Sequence, residues 1–186
     1  MNQKAYLFIL IGAVMSATMF IPLPPEIMRL WSFLTFWGYL LISAGLPGLN
    51  RPTKEVQNAR LFTLLALLTN FITPFVPQLF GVTRVLTFAT GSLQVFFSVG
   101  IFFWVLKAEY MWSPRGSKRT DFIVYSFVAA IYLAIYIMFL SPLIGIGLST
   151  PLMFTLLRAL QFTNILYYVI LLFTLIKLYR ESRSAY

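Results

Sequence analysis

Six long apolar runs, 5–21, 30–46, 61–76, 85–106, 122–140 and 159–176, divide this chain, and the segments between them are too short to hold a core of their own. A helix crosses a bilayer core with roughly 17–25 residues at a rise of about 1.5 Å each. The runs are too long for barrel strands and lack period-two alternation, so helices are the expected way to satisfy their backbone in lipid. The pattern predicts an all-α membrane protein: six transmembrane helices arranged as three helical hairpins (1–50, 57–108 and 120–182) in a single domain, 1–186, with no soluble domain. Composition agrees, since only 10% of residues are charged against about 25% in soluble chains. Lys4 and the small pair Ser16-Ala17 give the first run some likeness to a signal peptide. Its apolar character continues through Ile21, however, and the bulky Met15 sits where a small residue is wanted, so a retained span is expected.

Charge sets the expected orientation. An even number of spans puts both termini on one side, together with Lys4, Arg51, Lys54, Arg60, Lys107, Arg115, Lys118, Arg119, Lys177, Arg180 and Arg183. Only Arg29, Arg84 and Arg158 fall on the other side, in outer turns expected near 22–29, 74–84 and 142–158. Such asymmetry predicts cytoplasmic termini in a prokaryotic plasma membrane, with the net charge of +9 drawn to anionic lipid headgroups. Short basic loops without a domain to shape a groove give no support for nucleic-acid binding.

The chemistry of catalysis is thinly represented. The chain has no histidine and no cysteine, which removes imidazole acid–base chemistry, thiolate nucleophiles and the common zinc and haem ligands. Its five acidic residues, Glu26, Glu55, Glu109, Asp121 and Glu181, fall at span ends or in loops, with no evident buried carboxylate pair. No catalytic residue, metal or cofactor is expected, and the chain reads as non-enzymatic.

An internal repeat supplies the sharpest signal. Proline precedes arginine by seven residues in each outer hairpin (Pro22 and Arg29, Pro77 and Arg84, Pro151 and Arg158), and Phe33, Phe88 and Phe162 follow the arginines by four. PQLFGVTRVLTF and PLMFTLLRALQF agree further in register. Three, six and ten residues after the arginines come Ser32, Thr35 and Tyr39; Thr87, Thr90 and Gln94; and Gln161, Asn164 and Tyr168. On a helix these offsets fall within roughly 120° and descend about 15 Å, so each even-numbered helix carries a polar seam from an outer arginine towards the midplane.

Two functions fit. Three guanidiniums at one depth suit a carboxylate or phosphate, so an outward-facing polar cavity would bind or transport a small anionic ligand or lipid headgroup, with Arg29, Arg84 and Arg158 as its anion-binding residues. Alternatively the seams are interhelical packing, and the chain is a structural or accessory subunit whose seams and aromatic faces meet other membrane subunits. On the cytoplasmic side, Tyr110, Trp112, Arg115, Lys118 and Arg119 mix aromatic and basic character, the composition of an interfacial anchor or of a docking surface for a partner or anionic lipid.

Overall fold

The computed structural model describes residues 3–17, 25–49, 53–75, 84–112, 116–140, 147 and 149–184. Among them are six α-helices: α1 (Gln3–Met15), α2 (Pro25–Gly45), α3 (Lys54–Ile72), α4 (Arg84–Trp112), α5 (Gly116–Leu140) and α6 (Thr150–Ser184). Each helix packs on its neighbours in chain order, and α6 returns to α1, so the six form a closed ring. Packing is most extensive inside the pairs α1/α2, α3/α4 and α5/α6 and thinner between them. The start of α1 and the end of α6 lie together at one end of the ring, the base; the opposite end is the crown.

The α1/α2 pair owes its closeness to small residues. A Cβ on Gly38 would lie 2.7 Å from the Gly12 carbonyl oxygen, and one on Gly45 would lie 2.7 Å from that of Ala5. Gly38 and Gly45 on α2 face Gly12 and Ala5 on α1, both pairs seven apart, so two backbones touch along two turns. That is how helices attract in lipid, where apolar burial gives little net gain and close van der Waals contact must supply the energy. In α3, the Thr53 hydroxyl caps the first turn by accepting from the Val56 amide at 3.3 Å. Pro74 stands inside the 3-10 turn Thr73–Phe75 that ends this helix, since proline cannot continue the hydrogen-bond ladder.

Among the described residues three helices are long and apolar enough to cross a membrane, with candidate spans Ala89–Tyr110, Lys118–Leu140 and Thr150–Ser182, rather than the six expected. The described α1 has thirteen residues, about 20 Å against a core of about 30 Å. In α3 the polar residues Glu55, Gln57, Asn58 and Arg60 occupy the first two turns and Asn70 the last, leaving a short apolar middle. In α2 the apolar character is diluted by Arg29, Ser32, Thr35, Gly38 and Tyr39. All six helices nevertheless present large apolar side chains outward, including Phe8, Ile11 and Val14 on α1, Phe33 and Trp37 on α2, and Leu64, Leu68 and Phe71 on α3.

Two outer turns are also shorter than expected. Helix α2 begins at Pro25, and α6 begins at Thr150 with Pro151 in its first turn, so Thr150–Arg158 is helix rather than loop. Proline in a first turn explains both, because its missing amide is unneeded there and its φ is already helical. With 35 residues, α6 is the longest element, roughly 50 Å, and its last turns reach the base.

Candidate functional site

Helical geometry brings the deep ends of the three seams to one place. Tyr39 of α2, Gln94 of α4 and Tyr168 of α6 each stand ten residues after an arginine, and the Tyr39 hydroxyl meets Gln94, Ser98 and Tyr168 inside the ring. Tyr39 is wholly buried, as are Thr35, Asn164 and Tyr168 to within a few per cent, while Thr90, Gln94 and Gln161 are half-buried. Although surrounded by polar neighbours, Tyr39 Oη and Ser98 Oγ are both enclosed and neither attains good hydrogen-bond geometry with a protein partner. A buried hydroxyl left so costs about 1–3 kcal/mol; of the described residues Ser126 Oγ shares this state.

The upper ends behave differently. Ser32 is exposed. Arg158 is exposed as well, on one stripe with Phe162, Ile165, Val169, Phe173 and Ile176. At 100° per residue this stripe adjoins the face carrying Gln161, Asn164 and Tyr168 but does not coincide with it. Arg158 therefore stands on the outer apolar stripe eight residues into α6, a position from which an arginine can lay its stem along apolar surface and snorkel. The side chains of Arg29, Arg84, Thr87 and Trp112, and all of Arg115, lie outside the described residues.

Around the seam junction, tyrosines tie α4, α5 and α6 together. The Tyr125 hydroxyl bonds Tyr167 at 2.9 Å and donates to the Val99 carbonyl at 3.2 Å. Asn164 Nδ2 donates to the Tyr132 hydroxyl at 2.9 Å, and the Tyr132 ring stacks on Tyr167 with centroids 5.3 Å apart. Nearer the crown, Tyr136 and Ser92 approach to 3.4 Å. The sequence reading missed this set. Its signal was present: Tyr125, Tyr132 and Tyr136 are spaced seven and four apart, which places them on one face of α5.

A second polar cluster occupies the base. The Tyr6 hydroxyl of α1 donates to Glu109 Oε1 of α4. Lys118 of α5 lies 3.4 Å from Glu109 Oε2 and 3.6 Å from Glu181 Oε2 of α6. Beside it, Gln3 Nε2 donates to the Tyr179 hydroxyl at 3.1 Å and Lys177 pairs with Asp121. Lys118, expected on a basic docking surface, is instead 8% exposed inside this cluster, whereas Arg119 is exposed. Tyr110 is half-buried and stacks flat on Phe122, with centroids 5.5 Å apart. The two glutamates that no sequence spacing paired share one ammonium, because the ring brings the ends of α4 and α6 together.

No group of three or more histidine, cysteine or acidic residues stands ready to hold a metal ion among the described residues. No family model matches the chain, and comparison with curated proteins and with solved structures returns no match either. Its chemistry therefore rests on the geometry alone.

Proposed function

We propose that the chain is a non-enzymatic, polytopic membrane protein of six spanning helices, with both termini cytoplasmic in a prokaryotic plasma membrane. Its three hairpins repeat one plan, and its seam-lined interior opens outward to bind or transport a small anionic ligand, most simply a lipid headgroup. The observation that carries this reading is the junction of Tyr39, Gln94 and Tyr168, three residues in equivalent register from three hairpins that meet around one buried hydroxyl. Facing inward puts these groups beside one another, where lipid would offer them no polar neighbour at all. The six-span reading is supported by packing: α1, α2 and α3 stand side by side with the three long apolar helices and carry large apolar side chains outward. Helices in one ring share one solvent.

Arg158 stands on the outer stripe and not in the interior, so its guanidinium would meet a headgroup phosphate at the interface and not a free anion inside the ring. Arg29 and Arg84 hold the equivalent register in the other two repeats. Thermal unfolding of the purified protein, titrated with phosphatidylglycerol or phosphatidylcholine, tests the proposal. The anionic lipid is expected to raise the midpoint by several degrees more than the zwitterionic one, and Arg84→Gln with Arg158→Gln to abolish the difference. Equal stabilisation by both lipids rejects the anion site.

A second reading, an accessory subunit of a larger membrane complex, is favoured by the filling of the interior. Tyr39, Tyr125, Tyr132 and Tyr167 are at most 1% exposed and occupy the ring where a ligand would lie. In that case the chain leaves mild detergent extraction with fixed partners, whereas the first reading expects a stable particle of this chain and lipid alone.

A further inference from the structure

The cluster at the base joins the hairpins in a way that their packing does not. Tyr6 comes from the first hairpin, Glu109 from the second, and Lys118 with Glu181 from the third. Helix packing is more extensive within each hairpin than between them, and at the base, as at the seam junction, side chains of all three hairpins meet. A second tie, from Gln3 to Tyr179, again links the first and third. The Lys177–Asp121 pair, by contrast, lies within the third.

Tyr6 holds Glu109 closely, whereas the Lys118 contacts are the ties loose enough for a joint that opens. At 3.4 and 3.6 Å the two contacts of Lys118 are longer than the roughly 2.7–2.9 Å of a tight charge-assisted bond. Two carboxylates share one ammonium, so either can be released while the other keeps the charge paired. A cleft with room for about one water lies beside them, lined by Glu109, Lys118, Asp121 and Thr174 together with Leu106, Tyr110, Phe122 and Leu178. Water entering there would solvate the separated ions and lower the energy of opening. Above the cluster the ring interior is closed by apolar side chains, Ile9, Ile42, Leu46, Phe102, Val105 and Leu171. Only separation of the hairpins, and not a standing pore, would therefore lead from the base to Ser98 and Tyr39, whose hydroxyls lack protein partners of good geometry.

We infer that the Tyr6–Glu109–Lys118–Glu181 cluster is a latch that closes the ring interior to the cytoplasm, and that the three hairpins separate at the base when it opens. This rests on the reading that the seam-lined interior is the binding region and that the base faces the cytoplasm. Closed, the latch leaves that interior approachable from the crown only. Open, it gives a ligand bound at the seams a route inward.

The chain has no cysteine, so a single introduced thiol reports on the interior without a background. Ser98→Cys places one at the seam junction, about 20 Å along α4 from either end of the helix. Its reaction with a charged, membrane-impermeant methanethiosulfonate is followed from the cytoplasmic face in inside-out vesicles and from the outer face in spheroplasts. With the latch intact, reaction from the cytoplasmic face is slow. Glu109→Gln and Lys118→Met should each raise the cytoplasmic rate roughly tenfold by shifting the open population, and the exchanged pair Glu109→Lys with Lys118→Glu should bring it back down. Where these fail to accumulate, Tyr6→Phe removes one oxygen only and should still raise the rate measurably. An unchanged cytoplasmic rate overturns the latch. So does an equal rise from both faces, which would mark the cluster as a general contributor to stability. No ligand enters the assay, so its failure leaves the lipid titration standing, and a null lipid titration leaves the labelling result standing.

Discussion

The first and third hairpins solve one problem in opposite ways. In α1/α2 the helices meet through missing side chains: Gly12, Gly38 and Gly45 let two backbones approach until a single added carbon would collide with a carbonyl. In α5/α6 the helices meet through long polar side chains, with Tyr125 bonded to Tyr167, Tyr132 to Asn164 and Lys177 to Asp121. On the six-span reading proposed above, lipid gives neither pair much gain from burying apolar surface, so one relies on dense van der Waals contact and the other on hydrogen bonds. The glycine contact tolerates no added volume and the tyrosine contact tolerates loss of a bond. The α1/α2 hairpin should therefore be brittle to substitution and the α5/α6 hairpin forgiving.

The largest effect is expected from Gly38→Leu. Its Cβ would lie 2.7 Å from both the Gly12 oxygen and the Ser16 amide nitrogen, and backbone cannot yield as a side-chain tip can. The hairpin must open, at a cost on the order of 3 kcal/mol or more. Unfolding in detergent should show the protein largely lost, while Gly91→Leu, where an added Cβ meets nothing within 4 Å, should behave as the native chain. Comparable loss from both would refute the close contact.

Next in size are the hydroxyl bonds. Asn164→Leu leaves the Tyr132 hydroxyl without this donor and should cost about 1 kcal/mol, within the range of roughly 0.6–1.7 kcal/mol for polar contacts between membrane helices. Tyr125→Phe and Tyr167→Phe, made singly and together, should fall short of additivity, because each removes the same bond. Strict additivity would show that the two hydroxyls do not act on each other.

The smallest effect belongs to Asp121→Asn. Both partners of this pair are partly exposed, at 24% for Asp121 and 32% for Lys177, so screening limits its contribution to about 0.5 kcal/mol. The difference from the native protein should shrink further in high salt. A loss of several kcal/mol, insensitive to salt, would place the pair in a drier setting than its exposure indicates.

Much of this was legible from residue order. Repeated apolar runs announced an all-helical chain, and spacing from each arginine put Thr35, Tyr39, Asn164 and Tyr168 on faces that prove buried. Such features are local, because a helix fixes the direction of every side chain relative to its neighbours three and four residues away. Helix limits were less legible: apolar runs do not reveal that α3 stops just before Pro74 or that α6 begins nine residues ahead of Ala159.

The sequence by itself determined helix content and the angular position of each polar group on its own helix, since both follow from the local geometry of one backbone. Only the tertiary structure decided which of those faces meet. Glu109, Lys118 and Glu181 are separated along the chain by stretches that carry no mark of their partnership, and their encounter with Tyr6 depends on α6 returning to α1 to close the ring. Arg158 shows the converse. Its register promised a place in the seam, yet a rotation of the stripe by some tens of degrees set it among Phe162 and Ile165 on the outside. Periodicity fixes relative angles within a helix; the rotation of the whole helix against its neighbours is set by packing, which no single helix encodes.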